Sequence, residues 1–174
     1  MSAWTVVTAK EGGLYLRELD NRFDYFHACH ACSLLGNIGP RYSRLSPEGL
    51  VPADDAFRDE YARLAAATEA EITAEAKRRP KRAAAILAPN DASGERPFVD
   101  DLGQLLVKRT IFLVRAGEEE RAWQSFAADV AAYYRSAEGV DTLRGEISEL
   151  LREAPCIRAI PSGKDVGLTL QGTR

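Results

Sequence analysis

The stretch from Pro97 to Ala154 limits the fold more than any other part of this sequence, because its apolar residues recur at helical spacing three times in succession. The three stripes consist of Phe98, Leu102, Leu105, Leu106, Phe112 and Leu113; of Trp123, Phe126, Val130, Tyr133 and Tyr134; and of Leu143, Ile147, Leu150, Leu151 and Ala154. Gly117 and Gly139 separate the three segments, and Pro155 ends the last one. Since an amphipathic helix must bury its stripe, the pattern predicts three helices packed against one another.

A longer helix is predicted to begin near Ala53. Its apolar face is formed by Phe57, Tyr61, Leu64, Thr68 and Ile72. Pro80 is expected to break or kink this helix, because proline has no backbone N–H to donate. The apolar spacing continues beyond the proline to Leu87, so a kinked helix and two helices in near-continuation are both open, with the end at Pro89.

A further helix is predicted between Asn21 and Gly36. Its pattern runs through Phe23, Tyr25, Phe26, His27, Cys29, His30, Cys32, Leu34 and Leu35. The following segment, from Gly36 to Pro52, contains three prolines and three glycines. That composition indicates a long ordered loop.

Two short stretches near the chain ends have β character. Residues 3–19 place Gly12 and Gly13 between two β-prone runs, which predicts a hairpin with a two-residue turn. After residue 155, Val166, Leu168 and Leu170 alternate with smaller or polar residues and indicate a second hairpin or a terminal strand. Pairing of the two stretches into one small sheet would give each of them a strand to pair with.

Together these patterns predict a mainly α fold: a bundle of about five to six helices with a small antiparallel β element from the N- and C-terminal segments. The length of 174 residues fits a single domain, 1–174. The turn-rich residues 89–97 offer an alternative division into 1–90, a hairpin plus helices, and 97–174, the three-helix core plus the C-terminal β segment.

Charge and composition restrict the setting in which the protein works. The net charge is only −3, so no global field attracts nucleic acid or an anionic membrane. No stretch approaches the roughly 20 apolar residues that a membrane span requires, and the first residues do not resemble a signal peptide. Three unevenly spaced cysteines do not form a disulfide framework. We therefore expect a cytoplasmic protein with no membrane partner.

The most unusual local motif gathers both histidines and two of the three cysteines within six residues, at His27, Cys29, His30 and Cys32. These side chains can bind zinc or carry out thiol chemistry. On a helix, Cys29 and Cys32 share one face while the histidines share another, so one helix cannot place all four ligands around a single ion. Packing in the core is therefore the favoured interpretation, and a zinc or thiol site is the alternative.

A second motif is a basic run of five cations formed by Lys77, Arg78, Arg79, Lys81 and Arg82. Such a run can contact the phosphates of a nucleic acid. No aromatic residue lies within it to stack on bases, and cations also suit the C-terminal end of a helix. A solvated helix end is therefore the favoured interpretation, and polyanion binding is the alternative.

The remaining candidates are acidic pairs at Asp54/Asp55 and Asp100/Asp101, which lie near helix starts and are better explained by capping than by acid–base catalysis. No complete catalytic, metal or cofactor motif is present. The favoured hypothesis is a small soluble protein that acts through macromolecular interaction as an assembly, adaptor or regulatory subunit, and the lack of a catalytic motif weighs against an enzyme without deciding the question. The subunit would bind another protein or a second copy of itself. The alternatives are a metal- or thiol-dependent protein using the His/Cys cluster and a nucleic-acid-binding subunit using the basic run.

Overall fold

A four-stranded antiparallel sheet and four α-helices make up most of the computed structural model, which describes residues 5–20, 22–23, 26–27, 35, 38–47, 49–79, 83–88 and 98–152. The elements of the described chain are, in order, β1 (Thr5–Thr8), β2 (Leu14–Leu19), β3 (Pro40–Ser46), β4 (Gly49–Pro52), a 3-10 turn (Asp54–Phe57), α1 (Arg58–Arg78), β5 (Ala83–Ala85), β6 (Leu87–Ala88), β7 (Phe98–Val99), α2 (Asp101–Arg115), α3 (Glu119–Tyr133), β8 (Tyr134–Ser136) and α4 (Val140–Arg152). The fold is therefore a mixture of α and β structure.

The prediction of an N-terminal hairpin is confirmed. Strands β1 and β2 pair antiparallel, with Val6 opposite Leu16. Gly12 and Gly13 both have φ values in the left-handed region, +85° and +90°, as the sequence suggested. The connection is longer than the predicted two residues, because the turn closes where the Gly12 N–H donates to the Ala9 carbonyl oxygen.

The predicted loop between Gly36 and Pro52 is wrong, because most of it forms a second hairpin, β3–β4, which extends the first into a sheet of order β1-β2-β3-β4. The prolines that indicated a loop occupy positions that cost no ladder hydrogen bond. Pro40 is the first residue of its strand, and Pro52 ends β4 at the sheet edge. Gly49 supplies a positive φ of +120° at the start of β4.

The three predicted core helices are confirmed as α2, α3 and α4, except that Phe98 and Tyr134 lie in the short strands β7 and β8 and that Ala154 lies outside the described residues. Helix α2 is buried on nearly all sides, and its start is capped by the Asp100 carboxylate, which accepts a hydrogen bond from the Gly103 N–H at 2.8 Å. Gly117 ends α2 with φ +84°. Gly139, with φ +89°, precedes α4, and a β-carbon at this position would lie 2.5 Å from Leu87. The long helix is also confirmed as α1, with Tyr61, Thr68 and Ile72 buried along its inner face.

One predicted helical segment is wrong, and most of another, 21–36, lies outside the described residues. The described residues between positions 21 and 36 lie in turns, and His27 has φ +48°, which interrupts any right-handed helix. Beyond α1 the chain forms β5 and β6 instead of continuing as a helix. Strand β5 pairs in parallel with β8, Ala83 lying opposite Tyr134, and β6 pairs antiparallel with β7.

The predicted mainly α bundle of five to six helices is therefore wrong, because the described residues form a four-stranded antiparallel sheet as well as four α-helices. The N-terminal hairpin pairs with β3, and its predicted pairing with the C-terminal segment stays a prediction. Outside the described residues lie the C-terminal β segment and the turn-rich break, 156–174 and 89–97. Within the described part of the chain, no helix is long and apolar enough to cross a membrane.

Candidate functional site

The predicted metal cluster is only partly described. His27 is mostly buried, its Nε2 atom contacts the Glu146 carboxylate of α4, and its carbonyl oxygen accepts a hydrogen bond from the Val99 N–H at 2.9 Å. Among the described residues, no group of three or more His, Cys, Asp or Glu side chains could hold a metal ion. Outside the described residues lie the other predicted ligands, Cys29, His30 and Cys32.

The described part of the basic run makes ion pairs within the protein. Arg79 lies 3.1 Å from Glu75 and 2.7 Å from Asp100, and Arg78 lies 3.0 Å from Glu75. The Arg79–Asp100 pair joins the end of α1 to the start of α2, whereas Arg78 is 73% exposed and Lys77 makes no ion pair with a described residue. Outside the described residues lie the last two cations, Lys81 and Arg82.

Five arginines line a cleft of about 420 Å³ where the sheet meets the ends of the helices. We call it the arginine cleft. Its polar lining consists of Arg22, Arg41, Asp54, Asp55, Arg58, Arg115 and Arg152. The five arginines come from the turn after β2, from β3, and from the ends of α1, α2 and α4.

Asp20 is the anionic centre beside this cleft, and its side chain is fully buried. Arg22 donates to it from Nε at 2.9 Å and from Nη2 at 2.7 Å, and Arg115 donates to it from Nη2. Burial by itself would raise the pKa of Asp20, but the hydrogen bond from Arg22 and the charges of Arg115 and Arg41 outweigh it, so the pKa is lowered. Asp20 is therefore charged and already engaged by two guanidiniums.

Arg41 is the third guanidinium at this centre, and besides Asp20 it has Asp54 and the cross-strand neighbour Glu18 near it without a close ion pair to either. Its side chain is only 10% exposed, yet its one ion pair within the described chain is with Asp20, at 4.0 Å. Burial and the neighbouring charge of Arg22 lower the pKa of Arg41. A buried cation in this position is stabilised if a further anion approaches it.

Asp54 lines the cleft on the side of α1 and accepts hydrogen bonds from two tyrosines that lie outside the lining. The Asp54 Oδ1 atom accepts a hydrogen bond from the Tyr42 N–H at 2.8 Å and lies 2.5 Å from the Tyr61 hydroxyl. The predicted capping role of Asp54 is therefore replaced by a link between β3 and α1. Burial and the Asp54 charge raise the pKa of Tyr61, which stays protonated as a donor.

The remaining arginines lie at helix termini. Arg115 and Arg152 are the last residues of α2 and α4, where the helix dipole favours a cation. The Arg58 guanidinium lies over Gly117, where a β-carbon would approach its Cζ to 3.3 Å. Neither Arg58 nor Arg152 makes an ion pair with another described residue, so both are available to a ligand.

The cleft can therefore bind an anion. Five guanidiniums face four carboxylates, namely the two that line the cleft, the buried Asp20, and Glu18, which lies opposite Arg41 in the sheet, so one positive charge is in excess. Guanidiniums form charge-assisted, often bidentate hydrogen bonds with carboxylate and phosphate oxygens. The titratable groups that line the described cleft are all carboxylates or guanidiniums, an arrangement suited to holding an oxyanion.

Sequence reasoning missed this site because its residues are scattered between positions 20 and 152. No two of the five arginines are closer than 17 residues in the sequence, so no local motif marks them. The one signal was the presence of arginine at the ends of two predicted helices, which the helix dipole already explains.

No family model, curated protein or solved structure matches this chain. The described fold and its cleft define a mixed α/β protein with a cationic site at the junction of sheet and helices. The geometry of that site is the basis for assigning a function.

Proposed function

We propose that this chain is a binding protein whose arginine cleft recognises an oxyanion on its ligand. A phosphate group is favoured over a carboxylate, because its several oxygens can meet guanidiniums from different directions at once. The protein holds its ligand without transforming it and works as a regulatory or adaptor subunit in the cytoplasm.

The observation that carries this proposal is that Arg41 is a third buried guanidinium at a carboxylate, Asp20, that Arg22 and Arg115 already bind. Arg22, Asp20 and Arg115 are sufficient to join the sheet to the helices, because Asp20 lies directly after β2, Arg115 ends α2, and Arg22 also donates to the Leu150 carbonyl oxygen of α4. A third buried guanidinium 4.0 Å from the same carboxylate adds repulsion to that structural junction. A bound anion gives Arg41 a closer partner than the Asp20 carboxylate, which lies 4.0 Å away.

Titration calorimetry with inorganic phosphate, at an ionic strength held constant with chloride, tests the proposal. We expect saturable binding to the wild-type protein. Arg41→Gln is expected to weaken it by about tenfold or more, because a hydrogen bond to a charged group contributes about 1.5–3 kcal/mol. The proposal would be overturned if phosphate bound no more tightly than chloride and if Arg41→Gln left the phosphate affinity unchanged.

Arg63→Gln is the matched control. Arg63 lies on the exposed side of α1, away from the cleft lining, and its replacement changes the net charge by the same amount. We expect unchanged phosphate affinity in this variant. Equal weakening by both substitutions would mean that phosphate responds only to overall charge.

A second candidate function is association with another protein or a second copy of this chain, and exposed apolar side chains favour it. Val6, Leu14 and Leu45 are 62%, 73% and 75% exposed and share one face of the sheet, since Val6 and Ser43 both lie opposite Leu16. Light scattering over a range of concentrations tests self-association. Growth in mass that Leu14→Ser and Leu45→Ser abolish supports it, and a constant monomer mass rules out self-association.

A further inference from the structure

A second cavity adjoins the arginine cleft. It has a volume of about 780 Å³ and lies between the β1–β2 connection and the start of α1. We call it the hairpin pocket. It shares three lining residues with the arginine cleft, Pro52, Asp55 and Arg58, so the two cavities meet along this boundary.

The hairpin pocket differs from the cleft in carrying an aromatic surface. Phe57 and Tyr15 both line it, with ring centroids 5.1 Å apart and nearly perpendicular planes. Beneath them Tyr42 stacks on Phe57 at 3.6 Å with an interplanar angle of 9°, which fixes the plane of the Phe57 ring. Both lining rings are half-buried, so part of each surface is open to a ligand.

The charged groups that line the hairpin pocket are four carboxylates and the three cations Lys10, Arg44 and Arg58. Its lining includes the carboxylates of Glu11, Asp55, Asp59 and Glu60. Lys10, from the β1–β2 connection, pairs with Asp59 across the pocket and ties the connection to α1. The pocket thus offers rings for stacking and carboxylate oxygens that accept hydrogen bonds from amino groups.

We infer that the two cavities together bind a nucleoside monophosphate, with the phosphate in the arginine cleft and the base in the hairpin pocket. This inference rests on the proposed function of the cleft. Arg58, which belongs to both cavities, lies where the phosphate and the nucleoside join. The base stacks against Phe57 and Tyr15, and its amino and ring N–H groups donate to the carboxylates.

Calorimetric titrations with adenosine monophosphate, ribose 5-phosphate and inorganic phosphate test this assignment. We expect adenosine monophosphate to bind at least about fivefold more tightly than ribose 5-phosphate, because base stacking on an aromatic side chain is usually worth at least this factor. Equal affinity of the two would overturn the nucleotide inference and leave the anion-binding proposal intact. Failure of all three compounds to bind would overturn both.

Substitution of the aromatic residues locates the base. Phe57→Leu keeps an apolar side chain against Tyr42 but removes the ring, and Tyr15→Leu is a second variant should the first not fold. Each is expected to lower the affinity for adenosine monophosphate to near that of ribose 5-phosphate, whose own affinity stays unchanged. Tyr133→Leu on α3, outside both cavities, is the matched control and should bind as the wild type does. A folded Phe57→Leu or Tyr15→Leu variant with undiminished preference for the nucleotide would contradict the inference.

Discussion

Helix α2 carries two buried arginines, Arg109 and Arg115, whose surroundings differ in their charge balance. Arg109 is 6% exposed and meets two carboxylates, Glu69 of α1 at 2.6 Å and Asp129 of α3. Arg115 is 4% exposed and shares the single carboxylate Asp20 with two other guanidiniums. One centre has more anions than cations, and the other has the reverse.

The two centres also titrate in opposite directions. Burial disfavours the charge of Arg109, but the carboxylates of Glu69 and Asp129 outweigh it and raise its pKa. At the other centre, burial and the charge of Arg22 lower the pKa of Arg41. A buried cation whose partners stabilise it holds the fold together, whereas one whose neighbours repel it is suited to a ligand. The predictions below test whether this distinction holds.

Asp20→Asn is expected to have the largest effect, because it leaves three neighbouring guanidiniums with no buried anion. Loss of one partner from a buried ion pair typically lowers the free energy of unfolding by about 3–5 kcal/mol. Urea denaturation measures it. We also expect phosphate to recover part of the lost stability, and a loss under about 1 kcal/mol would show that Asp20 does not hold the centre together.

Acidification removes the same charge gradually. The folded-state pKa of Asp20 is lowered, so its stabilising contribution is complete above its unfolded pKa of about 3.9 and is lost as pH falls through the lower folded value. We therefore expect the free energy of unfolding to decrease below about pH 4 more steeply in the wild type than in Asp20→Asn. Denaturation series at several pH values measure this difference, and parallel curves would contradict it.

Arg109→Gln is expected to lower the free energy of unfolding by about 1–2 kcal/mol, since Glu69 is more than half exposed and water screens its charge. Phosphate binding should not change, because Arg109 does not line the arginine cleft. Urea denaturation and the phosphate titration together check this prediction. Weaker phosphate binding in this variant would mean that the two centres are not independent.

Arg41→Gln is expected to have the smallest effect on stability and one of opposite sign. Removal of a buried charge without a close ion pair should raise the free energy of unfolding by up to about 1 kcal/mol, measured without phosphate. Addition of phosphate should then stabilise the wild type more than the variant. Destabilisation as large as that of Arg109→Gln would show that Arg41 is a structural residue like Arg109.

Elements whose apolar residues repeat at regular spacing over many positions could be predicted from the sequence. Helices α1 to α4 and the β1–β2 hairpin are confirmed, because their spacing and their glycines act locally. The short strands could not be predicted, since Ala83 is held by pairing with Tyr134, 51 residues away in the sequence, and alanine spacing fits a helix equally well. Pro40 and Pro52 indicated a loop, whereas their positions in the sheet depend on a partner strand.

The arginine cleft could not be predicted for the same reason. Asp20 and Arg115 are 95 residues apart, and only the folded chain brings their side chains into contact. A sequence does not distinguish a solvated arginine from one that lines a site. The difference depends on the number of carboxylates near the guanidinium in the folded protein. The two predicted motifs drew attention because their residues were adjacent, and adjacency says nothing about charge balance in space.

The hydrogen bond from Arg22 to the Leu150 carbonyl oxygen makes the length of α4 a constrained quantity. One inserted or deleted residue upstream in this helix would rotate that carbonyl by about 100° around the axis and out of reach of Arg22. Evolutionary drift in chain length should therefore be tolerated in the connection before α4 and excluded within the helix itself. The contact with Arg22, which follows β2, thus fixes the position of the last turn of α4 relative to the sheet.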